Sequence, residues 1–355
     1  MPPLDRSLRP AAFILCLLAA AATASAQNDA PPPDQDATSA DSSPDETTMQ
    51  QRPEPAPDDR LEFTREPQRT TATASIGAAY NFAAEYDGAD GEASVLYAGA
   101  SVDVSHVVND ELRLSFGLQY LAAEWEFDDF DGFIPGLDDD DPFGTLHDVG
   151  LSVGAGYRFN DEWSAFGSFG VNAAFEDGAE LTDSITVSGV LGAAYQLNAD
   201  VTLGFGVIAA TRLEDTDIVL PTFAFNWQID ERWSLGSTGV VARAADRSPL
   251  NQGVAVELAY EPDDNVRYFS RLAYRQNTWR LSEDNDFLED GIFQHERVAF
   301  SLGLDWQPAP TATVRVLAGL NLDQSIEFED SRGDDVNDSD GDISPFLGAI
   351  AVFNF

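Results

Sequence analysis

Residues 219–229 read Val-Leu-Pro-Thr-Phe-Ala-Phe-Asn-Trp-Gln-Ile. The odd positions carry Val219, Pro221, Phe223, Phe225, Trp227 and Ile229. The even positions carry Leu220, Thr222, Ala224, Asn226 and Gln228. Successive side chains of a β-strand point to opposite faces, so this segment has one oily face and one mostly small and polar face. The split recurs on both sides of it. Val201, Leu203, Phe205 and Val207 alternate with Thr202, Gly204 and Gly206. Val149, Leu151, Val153 and Tyr157 alternate with Gly150, Ser152, Gly154, Gly156 and Arg158. Val298, Phe300, Leu302, Leu304 and Trp306 alternate with Arg297, Ser301, Gly303 and Asp305. From 71 to 355 the spacing is that of strands, not helices.

Alternation alone fits a soluble sandwich or a membrane barrel. In the first the oily face meets another sheet; in the second it meets lipid and the polar face meets the lumen. Three features favour the barrel. Aromatics cluster near strand ends, at Tyr80, Phe82, Tyr157, Phe159, Trp163, Tyr195, Trp227, Trp233, Tyr260 and Trp306, as an interfacial girdle requires. Short connections (160–162, 198–200, 230–232, 261–265, 308–310) alternate with longer ones (84–92, 128–145, 176–184, 244–252, 282–292, 329–342) and a tight one at 213–217. The chain ends in Leu347, Ala349, Ala351, Phe353 and Phe355, similar to the C-terminal recognition strand of bacterial outer-membrane barrels. The pattern predicts an all-β antiparallel transmembrane barrel of fourteen strands, starting near 72, 93, 111, 146, 163, 185, 201, 218, 233, 253, 266, 293, 311 and 343, with twelve as the rival count. Strand three breaks parity near Glu124-Trp125-Glu126, which predicts a bulge or a strand leaving the bilayer.

Residues 1–26 have the form of an export signal. Arg6 and Arg9 precede an apolar run from Ala11 to Ala22, and Ala24-Ser25-Ala26 forms a cleavage site before Gln27. Cys16 lies in this run, so the mature chain is expected to have no thiol. Residues 27–70 are rich in Pro and acids and poor in aliphatic side chains, which predicts a disordered tether.

The segments "YRFNDEWSAFGSFG" (157–170), "LPTFAFNWQIDERWSLGS" (220–237) and "SPFLGAIAVFNF" (344–355) form weakly repeated hairpins and a terminal strand. With the signal and linker, they resemble an uncharacterised family of bacterial outer-membrane β-barrels, classed as a domain of unknown function. The resemblance covers roughly 71–355. It implies a Gram-negative outer-membrane location and contact with outer-membrane lipid and the barrel assembly machinery, the latter through the strand ending at Phe355. It implies no substrate, cofactor or catalytic residue.

The chain of 355 residues carries 62 acids against 19 basic residues, all Arg, for a net charge of −43. That charge repels phosphate backbones and argues against nucleic-acid binding. The longer connections, together with the tight one at 213–217, hold half of the acids but only two of the Arg, Arg247 and Arg332. Asp138, Asp139, Asp140 and Asp141 form one dense run; Asp334, Asp335, Asp338 and Asp340 belong to another. Loops of this kind make a negative mouth that concentrates cations. They read either as a solvated surface or as weak sites for divalent cations, whose oxygen preference they meet. The 334–342 run lacks the spacing of a calcium loop, because Val336 falls where its first Asp belongs.

The Arg residues are distributed differently. Arg267, Arg271 and Arg275 share one strand face with Phe269, Ala273 and Asn277, and Arg297 and Arg315 have the same inward parity. Inward acids are Asp103, Asp148, Glu257, Asp305, Asp323 and Glu327. This predicts an Arg wall in the lumen, serving either as a transverse field for ion selection or as cross-strand pairs that fill the barrel. The opposite wall is small: Gly150, Ser152, Gly154, Gly156, Ser164, Ser168, Gly170, Thr186, Ser188, Gly192, Thr202, Gly204 and Gly206. His147-Asp148 and His295-Glu296 lie near one rim and His106 at the other, but no Ser nucleophile sits beside a base, so no enzyme and no metal centre is expected. Two functions remain open. One is a passive channel for small hydrophilic solutes. The other is a non-conducting surface barrel whose acidic loops contact divalent cations or envelope partners. Large inward side chains meeting at the centre would favour the second.

Overall fold

Fourteen antiparallel strands close on themselves in this computed structural model, which describes residues 69–87, 91–130, 142–213, 217–238, 254–285 and 287–355. The expected export signal, nearly all of the tether and Asp138, Asp139, Asp140 and Asp141 lie outside the described residues. The strands are β1 (Thr70–Glu85), β2 (Glu92–Val107), β3 (Leu112–Asp128), β4 (Leu146–Arg158), β5 (Trp163–Glu176), β6 (Ile185–Gln196) and β7 (Val201–Ala210). They continue as β8 (Ile218–Gln228), β9 (Trp233–Thr238), β10 (Val254–Asp263), β11 (Val266–Arg280), β12 (Ile292–Ala309), β13 (Ala312–Glu329), β14 (Asp335–Gly341) and β15 (Ser344–Asn354). β14 and β15 are two halves of one barrel strand. Asn321 of β13 pairs with Ser344 and Gln324 with Gly341 in the same running register. β1 pairs with β15 and closes the wall, bringing both ends to one rim. The rival count of twelve is thereby excluded.

Short turns at that rim share one device. Asn109, Asn160, Asn198 and Asp230 each accept, through the side-chain oxygen, the backbone N–H groups two and three residues on, at 2.8–2.9 Å. An Asx side chain that mimics the turn hydrogen bond is the physical content of the sequence repeat. On the outer surface Leu114, Phe116, Leu118 and Tyr120 of β3 are exposed, as are Leu151, Phe169, Phe205 and Leu272. Trp163 packs at a tilt on Tyr195 and Trp233 on Tyr260, each pair at 4.7 Å between ring centroids, near the turn rim. An apolar belt edged by aromatic rings is the exterior of a transmembrane barrel.

β3 holds an unbroken register with β2 through Glu124 and Trp125, and with β4 as far as Ala123, so there is no bulge. Beyond Tyr120 its polarity inverts instead. Glu124 and Asp128 stay outward and exposed, while Leu121, Ala123, Trp125 and Phe127 point inward and are buried. The strand has left the bilayer, so its exterior meets water and its interior becomes the apolar side. Phe143, Trp279, Phe293, Ile326 and Phe328 join these residues in one core inside the loop-rim half of the barrel.

The 329–342 segment, expected as a loop, forms a hairpin that extends the wall. Asp330 shapes its turn, accepting the backbone N–H of Arg332 at 2.8 Å and of Asp334 at 3.0 Å. The Arg332 guanidinium and these two N–H groups hold the Asp330 carboxyl below its ordinary range. A depressed folded pKa places the stabilisation fully above the unfolded value of about 3.9, to be lost as pH falls through the lower folded value. Protection of the Arg332 and Asp334 amides, taken relative to their intrinsic exchange rate at each pH, should therefore hold down to about pH 4 and be lost only below it. Loss of that relative protection already at neutral pH would contradict this account.

Candidate functional site

The lumen has two unlike halves. Along β11, β12 and β13 it is filled in tiers from the turn rim upward. In the first tier Asp305 accepts Arg315 Nε at 2.7 Å and Nη2 at 2.9 Å, and accepts Arg267 Nη1 at 3.1 Å. Arg267 also donates to Glu257 and approaches Glu261 at 3.4 Å. The Phe269 ring lies against both guanidiniums, 5.6 Å from Arg267 and 5.0 Å from Arg315. It fits because residue 303 is glycine: a Cβ there would stand 2.1 Å from the ring.

The second tier holds Arg271, Arg275 and Arg297. Arg271 and Arg297 are buried. Arg275 is directly opposite Arg297 across the β11–β12 pair. The Arg297 guanidinium lies 4.6 Å over the Tyr97 ring, and the Tyr97 hydroxyl is 2.9 Å from His295 Nδ1. The third tier is an aromatic plug. Phe293 is 0 % exposed at its centre, 4.6 Å from Phe143, 5.0 Å from Phe328, 5.1 Å from Trp125 and 5.8 Å from Trp279 between ring centroids. Above it Glu176 ties the loops together, accepting the N–H of Gly144 at 2.7 Å, the N–H of Ser282 at 2.8 Å and Asn285 Nδ2 at 3.0 Å. Nothing in the alternation pattern marked Glu176, because its partners come from segments far away in sequence.

The five Arg and Asp305 thus lie inside, but Arg271 and Arg297 are buried rather than lining open water. Asp323 does not lie inside. Ala299 pairs with Asn321 and Val298 with Asp323, so Leu322 is an extra residue and parity flips there. Asp323 is exposed on the outer face, Gln324 takes the inward place, and Glu327 follows Asp323 outward. Asp334 sits in the turn; Asp335, Asp338 and Asp340 are exposed on β14 rather than in a loop.

The other half, β4 to β9, is open. Val219 is 67 % exposed on the outer face and its neighbour Leu220 is 52 % exposed on the inner one, so solvent reaches both sides of this wall. Ser101, Asp103, Gln119, Gly150, Ser152, Gly170, Asn172 and Ser188 surround a chamber of about 150 Å³. Elsewhere on this wall Phe166 is seated where a Cβ on Gly192 would lie 2.3 Å from the ring. A space bounded by hydroxyls, amides and one carboxylate beside Leu118, Leu151 and Val171 has room and hydrogen-bonding groups for a small polar solute.

Two carboxylate groups converge at the loop rim: Glu180, Asp183 and Glu283, and Glu327, Glu329 and Asp335. Glu180 beside it, then burial and Asp290, Asp183 and Asp284, push the Glu283 carboxyl above its ordinary range. His147 faces outward, with Tyr120 Oη 2.9 Å from its Nδ1 and Asp177 2.9 Å from its Nε2; His295 faces inward and His106 meets Thr70 at the opposite rim.

The family model described as a domain of unknown function, DUF6268, matches residues 143–349, which run from the plug's Phe143 into β15. The chain belongs to the DUF6268 family. No curated protein matches it. Among solved structures, a deltaS2 mutant of the TodX monoaromatic hydrocarbon channel is similar at 11 % identity and a TM-score of 0.47, over 82 % of this chain and 91 % of that one. The toluene transporter TodX of P. putida is similar at 10 % identity and 0.43, over 81 % and 90 %. A FadL homologue of Pseudomonas aeruginosa is similar at 14 % identity and 0.43, over 81 % and 90 %. Likenesses this distant carry nothing about the cargo of this chain.

Proposed function

We propose that this DUF6268 barrel is an outer-membrane channel that passes small hydrophilic solutes by diffusion along the small-residue side of its lumen, from the chamber at β2–β6 to the open wall at β4–β9. The supporting observation is the chamber of about 150 Å³ lined by Ser101, Asp103, Gln119, Gly150, Ser152, Gly170, Asn172 and Ser188, small or polar inward side chains of β2 to β6. Small side chains leave room, and hydroxyls replace part of a solute's hydration. The acidic loop rim raises the local concentration of cations, so a preference for cations is expected. Arg267, Arg271, Arg275, Arg297, Arg315 and Asp305 belong to the filled side, where they anchor the wall and add positive charge across the lumen. The strand ending at Phe355 addresses the chain to the assembly machinery.

The aromatic plug favours a second reading. If the core around Phe293 also closes the path above the chamber, the barrel does not conduct and acts as a surface protein. Its acidic rim, including Glu180, Asp183 and Glu283, then meets divalent cations that bridge it to envelope partners.

Single-channel recording of the refolded protein in a planar bilayer, with a salt gradient, separates the two. Stable conducting steps support the channel; a folded barrel with none supports the surface protein. Gly156→Trp sharpens the test, because no atom lies within 4 Å of a Cβ built there. The side chain starts in open space and projects into the lumen, and conductance should fall roughly twofold or more. An unchanged conductance would remove the small-residue wall from the path.

A further inference from the structure

We propose that the loop-side end of the β2–β6 chamber binds the protonated amine of a small organic solute, with Asp148 as the anionic partner of the ammonium group. The site rests on the channel reading in one respect, that solutes enter the chamber. Asp148 opens the inward row of β4 that continues with Gly150 and Ser152. It stands between Leu121 of β3 and Ala174 of β5, which belong to the apolar core inside the loop rim. One inward position on, Gly150 stands between Gln119 and Asn172, and all three line the chamber. A Cβ at 150 would lie 2.7 Å from Gln119 Nε2 and 3.0 Å from the Asn172 amide head, so the two amides meet where glycine leaves room. Oriented to satisfy both of its ends, the Asn172 amide donates to Asp148 Oδ1 at 2.8 Å and to the Val149 carbonyl at 3.2 Å. Asp148 therefore lies at the junction of the core and the chamber, tied to the chamber wall.

Asp148 is 6 % exposed. Burial and the Asn172 amide act on its carboxylate, and no guanidinium pairs with it among the described residues. A carboxylate offers about four acceptor positions, and one amide N–H fills one of them. Enclosed in this way it holds its charge with a counter-charge, or else takes a proton. None of the chamber's lining residues is basic, so the counter-charge comes from the lumen. A divalent metal ion takes six or more oxygens, which one carboxylate and two amides do not supply. A primary ammonium group needs fewer: it donates three hydrogen bonds, to Asp148 and to neighbouring amide or hydroxyl oxygens. The chamber of about 150 Å³ is roughly ten times what one water requires. The rest of an organic molecule fits there, beside the hydroxyls of Ser101, Ser152 and Ser188.

The test is thermal unfolding of the full chain refolded in detergent, in ethanolammonium chloride against sodium chloride at equal ionic strength and pH. Ethanolammonium should give a saturable rise in melting temperature that sodium does not. Asp148→Asn keeps the shape and removes the charge, and should raise the half-saturating concentration at least about tenfold. Glu124→Gln removes the same charge from the exposed outer face of the neighbouring strand and leaves it unchanged. Gly150→Ala displaces Gln119 and Asn172 while keeping Asp148, and should weaken binding severalfold; it serves if Asp148→Asn does not fold. Equal melting in the two salts overturns the site without any variant. So does an unshifted half-saturation in folded Asp148→Asn, or in Gly150→Ala where that variant stands in. Planar-bilayer recording keeps the two readings apart. Conducting steps without ethanolammonium binding would remove the site and keep the channel; binding without conducting steps would remove the channel and keep the site.

Discussion

Phe293→Ala is expected to destabilise the barrel by about 3–5 kcal/mol, the cost of truncating a fully enclosed aromatic ring. Phe293 is wholly buried, and four aromatic rings from β3, the segment before β4, β11 and β13 pack on it. Those neighbours are fixed to four separate parts of the wall and cannot all close on the void. The loss therefore combines lost transfer energy with a residual cavity. Reversible guanidinium unfolding in detergent measures it, and a loss under about 1 kcal/mol would mean that the plug is loosely packed. The same variant bears on permeation. Combined with Trp125→Ala it removes the two rings that meet edge-on at 5.1 Å. Conductance should rise if the plug limits the path and stay constant if solutes pass only along β4–β9.

Asp305→Ala should cost a comparable amount, about 3–5 kcal/mol, for a different reason. Asp305 accepts three hydrogen bonds from Arg267 and Arg315 with its side chain mostly enclosed. Removing it leaves two guanidiniums against one another and against the Phe269 ring. Arg267 retains Glu257; Arg315 loses its bidentate partner. Breaking a buried pair from one side is far worse than replacing the pair, so Asp305→Leu combined with Arg315→Met should recover most of the loss. If the double variant is no more stable than Asp305→Ala, packing around Phe269 rather than charge governs this tier.

The wall of this protein was legible residue by residue. Strands predicted to begin near 72, 93, 146, 163 and 201 begin at Thr70, Glu92, Leu146, Trp163 and Val201. Period-two alternation is a local consequence of backbone geometry, and in a barrel every strand faces lipid on one side, so the signal repeats without tertiary help. The Asx turns at Asn160 and Asp230 were equally local. The inward parity of Arg267, Arg271, Arg275, Arg297, Arg315 and Asp305 followed from the same rule.

Asp323 is where that rule fails. One extra residue, Leu322, reverses everything beyond it. A bulge depends on how β13 must bend against β12, and no single residue there announces it. The plug was hidden for a second reason. Trp125 and Phe127 lie inward because the outer face of β3 above Tyr120 meets water rather than lipid, and the height of the bilayer is a property of the assembled barrel. The clamp at Glu176 joins residues far apart in the chain. By itself the sequence determined the strands, their faces and their turns, since each depends on near neighbours. Only the closed tertiary structure decided which half of the lumen is filled and which is open, because that depends on which side chains meet across the barrel.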